Sequence, residues 1–189
     1  WYYDYVTGDW GLEWPKGSGL SPLFAGGIMI GAKVNDEGRV AAIQHDATEF
    51  QPGSLNDDGS PTDPADPVYR WYELKPGGAG DWSNWPTEQG APLDQEGNPK
   101  LTGDQTIFSI FNDQKKHEYY GSSPLGAEIH QTAWATEKVW PYRDMIFIKW
   151  KIINKSPNDW DSTYLSIWTD PDVGDAGDDL VGCDSTLNL

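Results

Sequence analysis

Hydrophobic and polar positions alternate along this chain in short runs, and turn residues separate the runs. In residues 24–34, FAGGIMIGAKV, the side chains of Ile28, Ile30, Ala32 and Val34 fall on one side, the two-residue period of a strand. Asn35-Asp36-Glu37-Gly38 then supplies a tight turn into residues 39–44, so a β-hairpin is expected. Residues 51–67 read as a loop dense in Asp, Pro, Gly and Ser, and 68–74 as a strand. Residues 76–103 form a second long loop carrying Trp82 and Trp85, and 106–111 a short apolar strand.

The pattern is strongest in the last third. Residues 127–140 make a long candidate strand. In 145–154, Ile146, Ile148, Trp150 and Ile152 face one way while Lys149 and Lys151 face the other. Residues 160–168 follow after the turn Asn154-Lys155-Ser156-Pro157-Asn158-Asp159. Three consecutive strands with short connections predict an antiparallel meander, and two such sheets closed over each other a β-sandwich. No amphipathic helix and no internal repeat stands out. The expected fold is therefore all-β, a single antiparallel β-sandwich domain over residues 1–189 with long Asp/Gly/Pro-rich loops.

Charge narrows the partners. The 189 residues hold 13 basic and 30 acidic side chains, a net charge of -17. Such a balance opposes phosphate neutralisation, and so nucleic acid, and opposes docking on an anionic membrane surface. It leaves acids that collect divalent cations or acids that keep the protein soluble. No stretch is apolar enough to span a membrane as a helix. Cys183 is the one cysteine, so no intrachain disulfide forms; it is expected to be a small buried residue beside an acidic loop. The chain opens on Trp1-Tyr2-Tyr3-Asp4-Tyr5, with no signal peptide before it, and stops at Leu189, so it reads as part of a longer precursor.

Candidate chemistry concentrates in Thr169-Asp170-Pro171-Asp172-Val173-Gly174-Asp175-Ala176-Gly177-Asp178-Asp179, with Asp184 following. Crowded carboxylates repel, and a hard cation with six to eight oxygen ligands removes that repulsion. The set Asp170, Asp172, Asp175, Asp178, Asp179 and Asp184 is therefore a candidate Ca²⁺ site outside EF-hand register. A solvated loop of turn-capping aspartates is the alternative. Asp94, Glu96 and Asn98 form a second candidate set, with oxygen side chains at alternate positions, and Asn56-Asp57-Asp58-Gly59 reads as a solvated loop.

Histidines are few: His45, His117 and His130. Glu128 and His130 share a strand face; a hydrogen-bonded pair on a solvated side of the sheet is expected, with a metal-ligand or acid/base pair as the alternative. Gly77-Gly78-Ala79-Gly80 lacks the lysine and helix of a phosphate loop, and no nucleophile elbow is present. Trp160, Tyr164 and Trp168 alternate along one strand face, and Trp134 follows His130 on another. An exposed row of these rings would stack on sugars; a buried one fills the core.

Several blocks in order carry a family resemblance: residues 24–34, Gly103-Asp104-Gln105, Gly126-Ala127-Glu128-Ile129-His130-Gln131-Thr132-Ala133-Trp134-Ala135, Lys151-Ile152-Ile153-Asn154-Lys155-Ser156, Trp168-Thr169-Asp170-Pro171-Asp172-Val173-Gly174-Asp175 and Asp178-Asp179-Leu180-Val181-Gly182-Cys183-Asp184-Ser185-Thr186-Leu187. Together they resemble the N-terminal region of large secreted Bacteroidetes-type proteins exported by the type IX secretion system. The resemblance implies an extracellular, cell-surface location and brings no catalytic residues. It also implies an Asp-x-Asn-x-Asp-Gly loop near Asp94, from which Asp94-Gln95-Glu96-Gly97-Asn98 departs.

The leading expectation is a non-enzymatic, Ca²⁺-stabilised structural or adhesion module. A carbohydrate-binding module or part of a carbohydrate-active hydrolase comes second, and a subunit of an extracellular filament third. Its expected partners are other extracellular proteins, polysaccharide or further copies of the chain.

Overall fold

In a computed structural model, the structure describes residues 12–15, 17–44, 47–118, 120–138, 140–172, 177–180 and 182–187. Among these, ten strands and four three-residue 3₁₀ turns account for the regular structure. The class is all-β, and the pairings with defined register are antiparallel. Contacts divide the chain into two compact units. One draws on residues before Gly31, 42–48 and after Thr163; the other holds 31–41 and 49–163.

Strand β1 (Leu23–Val34) obeys the two-residue period, with Ile28, Ile30, Ala32 and Val34 all buried. Gly27 is needed there because a Cβ would come within 2.8 Å of Ile43 Cγ2. Asn35 and Asp36 alone make the turn, at φ 54° and 63°, the two left-handed positions of a type I′ hairpin. Glu37 and Gly38 are therefore already part of β2 (Glu37–Ala41). The short strands β3 (Ile43–Gln44) and β4 (Ala47–Thr48) pair with each other.

The second sheet is built around β7 (Gln105–Asn112). On one side β7 pairs with β5 (Gln51–Pro52) and β6 (Tyr72–Leu74), which meet its two ends. On the other side β8 (Ala127–Ala135) pairs over its full length, followed by β9 (Ile146–Asn154). The expected strand 68–74 shrinks to three residues because Asp66 bends the chain. Its carbonyl accepts the Tyr69 amide and its carboxylate the Val68 amide. Residues 136–138 lie beyond β8 for a similar reason, since Asp104 captures the Thr136 hydroxyl and the Glu137 amide.

The expected three-strand meander stops at two. β10 (Asp161–Pro171) pairs with β1, giving a separate sheet in the order β10-β1-β2. Ser162 at the start of β10 takes φ 49°, a left-handed value uncommon for a residue other than glycine.

Loop 76–103 is more than a surface connection. Trp85 and Ala91 are buried with Tyr72, Leu74 and Phe108 in one cluster, against which Trp82 and Leu101 pack. The Trp85 ring lies 6.0 Å from Phe108, and its Nε1 donates to the Pro92 carbonyl. The loop thus covers one face of β6 and β7.

Two short loops share one design that sequence inspection passes over. Leu55-Asn56-Asp57-Asp58-Gly59-Ser60-Pro61 and Leu93-Asp94-Gln95-Glu96-Gly97-Asn98-Pro99 are each closed by a Leu–Pro bridge. In both, the second residue's amide donates to the carbonyl four positions on, and the glycine, at φ 80° or 84°, donates back. Neither β-branched nor bulky residues fit that glycine position.

Candidate functional site

A cleft of about 560 Å³ opens where the ends of β7 and β8 meet the loops on either side. Its lining includes Lys75, Asp104, Gln105, Glu137, Lys138 and Arg143. Asp104 organises it: one carboxylate oxygen meets Lys138 Nζ at 2.9 Å and the other accepts from Thr136 and Glu137. Lys138 is the chief reason the Asp104 carboxyl sits below the ordinary aspartate range, and Asp104 in turn raises Lys138. A hydrolytic general acid requires the opposite shift.

Beyond this cleft runs the connection from β8 to β9, which exposes the aromatic residues Trp140 and Tyr142. Trp134 and Phe147, directly opposite in the β8–β9 register, stack at 5.6 Å, and Tyr142 leans on Phe147 at 6.1 Å. Four large apolar residues near them face solvent: Trp140 at 74%, Tyr142 at 47%, Met145 at 44% and Ile146 at 47%. Trp134 itself is half-buried.

A second cleft, of about 650 Å³, is lined by Trp82, Asp94, Asn98, Pro99, Lys100 and Leu101. The Trp82 indole is fixed at its nitrogen, which donates to the Lys75 carbonyl at 2.9 Å. Asp94 Oδ1 accepts the amides of Glu96 and Asn98, while Oδ2, among the described residues, has only the long 3.5 Å approach of Asn98 Nδ2. Thus Asp94 and Asn98 come together, whereas Glu96 stands exposed outside the lining.

The larger acidic set is placed as follows. Asp170 and Asp172 are half-buried at the end of β10, where the Asp172 amide donates to Pro22. Asp178 and Asp179 are exposed, and Asp175 lies outside the described residues, as does His45. Asp184 caps a turn, its Oδ1 accepting from the amides of Thr186 and Leu187 and the Thr186 hydroxyl. Among the described residues, no three acidic, histidine or cysteine side chains converge as ion ligands would. Cys183 is exposed rather than buried, because residues 182–187 lie wholly at the surface.

Glu128 and His130 do form the expected pair, at 2.9 Å. Their surroundings differ from expectation: the face is buried, not solvated, because the loops after β5 and β6 cover it. Glu128 also accepts the Leu55 amide at 2.7 Å, and Gly90 packs against the His130 ring edge. Burial pushes the Glu128 carboxyl up, but its bonds to His130 and Leu55 outweigh this and leave it lowered.

A further buried polar group escapes sequence reading because its members come from separate segments. Asp113 accepts the amides of Leu125 and Ala127 at 2.6 and 2.7 Å, and burial raises its carboxyl above the usual range. His117 bonds the Asp113 carbonyl and lies 3.9 Å from a carboxylate oxygen of both Asp113 and Glu49. These groups fasten the connection that leads from Asp113 to Ala127.

The remaining aromatic candidates separate. Trp160 precedes β10, and its Nε1 donates to the Leu125 carbonyl. Tyr164 is 75% exposed, and Trp168 is half-buried. In comparisons with known proteins, the chain matches no family model, no curated protein and no solved structure.

Proposed function

We propose that this chain is a non-enzymatic structural or adhesion module of the cell surface or extracellular matrix, with the β8–β9 connection as its contact surface. The observation that carries the reading is the cluster of Trp140, Tyr142, Met145 and Ile146, all large, apolar and exposed within seven residues. Exposed apolar groups gathered in one place mark a surface that meets a partner. Net charge -17 supports a protein held in solution by its acids until such a contact forms. The lowered Asp104 carboxyl in the neighbouring cleft suits an ion-paired binding group better than a general acid. Type IX export and Ca²⁺ stabilisation belong to the same reading, supported by the residue blocks and the aspartate-rich segment 170–184.

Retention of the labelled protein on washed bacterial cells and on their extracellular matrix tests the reading. Replacing Trp140, Tyr142 and Met145 together with Ser should abolish retention while leaving the melting curve in place. Retention equal to the wild type would overturn it.

A second reading, self-association into a filament, is favoured by β10. This strand is at the edge of its sheet and exposes Tyr164, Leu165 and Ile167 at 75, 60 and 66%. The other sheet's edge strand β9 carries outward Lys149 and Lys151, whereas β10 has no charge between Asp161 and Asp170. Charged side chains are the usual guard on a strand edge.

A further inference from the structure

We infer that the Trp82 cleft is a binding site for a neutral saccharide, separate from the adhesive β8–β9 connection. Four features of the cleft converge on that ligand class. The first is a fixed aromatic wall. Trp82 packs against the buried cluster of Tyr72, Leu74, Trp85, Ala91 and Phe108, and its nitrogen is tied to the Lys75 carbonyl. The ring is held without being covered, and it lines the cleft directly. A pyranose presents an apolar face of C–H groups, which an indole face matches in shape and polarity.

The second feature is the polar set that shares the lining with the ring. Asp94 offers acceptor capacity at Oδ2, Asn98 offers a carboxamide, and Lys100 an ammonium with no ion-pair partner among the described residues. A sugar hydroxyl donates once and accepts up to twice, so this mixture of donors and acceptors suits vicinal hydroxyls.

Charge is the third. Asp94 and Lys100 cancel within the lining, while the whole chain carries -17. An anionic polymer would meet long-range repulsion with no local surplus of cations to offset it. A neutral chain meets neither.

The fourth feature is preorganisation. Asp94 is held by two backbone amides, and the loop is closed by the Leu93–Pro99 bridge and the Asp94–Asn98 backbone bond. Little ordering cost then falls on binding. At about 650 Å³ the cleft is of the size that ordinary small-ligand sites have.

The test is titration calorimetry of the intact chain against neutral hexasaccharides of glucose, mannose, xylose and N-acetylglucosamine, with polygalacturonate as the anionic control. Binding of at least one neutral hexasaccharide is expected, with quenching of tryptophan fluorescence, and none of polygalacturonate. Trp82→Ala should weaken binding by about tenfold or more. Because Trp82 also packs on the core, Lys100→Ala and Asn98→Ala, on exposed side chains, serve as independent variants and should each weaken binding several-fold. Absence of binding by every neutral hexasaccharide at millimolar concentration would overturn the inference, as would affinity unchanged in Lys100→Ala and Asn98→Ala. Loss of cell retention on changing Trp140, Tyr142 and Met145 would persist in that case, so the adhesion reading stands or falls separately.

Discussion

The Glu128 carboxylate bridges two distant segments: one oxygen meets His130 Nε2 at 2.9 Å and the other accepts the Leu55 amide at 2.7 Å. The first of the two Leu–Pro loops is thereby pinned to strand β8. Since the folded pKa of Glu128 is lowered, its stabilising contribution is present above the ordinary glutamate value and is lost as pH falls through the folded one. Glu128→Gln should cost about 1–3 kcal/mol at pH 7. The cost should shrink below about pH 4. Urea denaturation at pH 7 and pH 3 measures both; an equal cost at the two values would contradict the assignment.

Asp113 should behave in the opposite sense. Burial raises its folded pKa, so its contribution is full below the unfolded value and declines as pH rises through the folded one. Asparagine can accept only one of the two amides and turns a donor toward the other, so Asp113→Asn should cost about 1–3 kcal/mol. The cost should be larger at pH 3 than at pH 7, the reverse of Glu128→Gln. The same denaturation series, run on both variants, shows whether the two slopes differ in sign.

This contrast also marks how far the sequence was legible. Strand β1, the β8–β9 pair and the shared face of Glu128 and His130 follow from a two-residue period, which is local information. That the Glu128 face is buried depends on loops 51–67 and 76–103 folding back over it, and loop composition carries no sign of direction. The twin Leu–Pro loops share the spacing Leu-x-x-(Asp/Glu)-Gly-x-Pro, but a seven-residue match is too short to signal a common turn by itself. Asp113, His117 and Glu49 are brought together by tertiary packing alone. The clefts share this property, since Trp82 and Lys100, or Lys75 and Arg143, meet only after the sheet has formed.

Gly80 illustrates a turn that admits no side chain. It stands at φ 96° where the chain returns from β6, and an added Cβ would collide with the Glu73 carbonyl. The same turn aligns Asp81, which takes Arg70 in a two-pronged ion pair and accepts the Glu73 amide at 2.9 Å. Gly80→Ala should cost about 1–3 kcal/mol from backbone strain, with displacement of Asp81 adding to it. A melting temperature within 1 °C of the wild type, on the order of the smallest resolvable change, would show that the turn relaxes freely.

If β10 mediates self-association, a charge at its exposed edge should stop it. Ile167 is 66% exposed, so lysine there disturbs no core. Ile167→Lys should leave the melting temperature unchanged while shifting sedimentation at high protein concentration from larger species to monomer. Identical sedimentation of variant and wild type would remove the filament reading and leave the adhesion reading untouched.

Removal of divalent ions tests the aspartate-rich segment. Asp170 and Asp172 end β10 in the half-buried zone, and Asp178, Asp179 and Asp184 follow at the surface. Their mutual repulsion falls if Ca²⁺ binds among them, and binding to the folded state alone raises stability by mass action. Addition of a chelator should lower the melting temperature, and Ca²⁺ should restore it, by roughly 5–10 °C at a hundredfold excess over Kd. Asp172→Asn combined with Asp175→Asn should erase the response. Asp184→Asn should leave most of it, because the Asp184 oxygen is engaged by Thr186, which already holds its carboxyl below the usual range. A melting curve indifferent to chelator would mean that solvent and turn amides alone satisfy these carboxylates. The segment would then owe its composition to solubility.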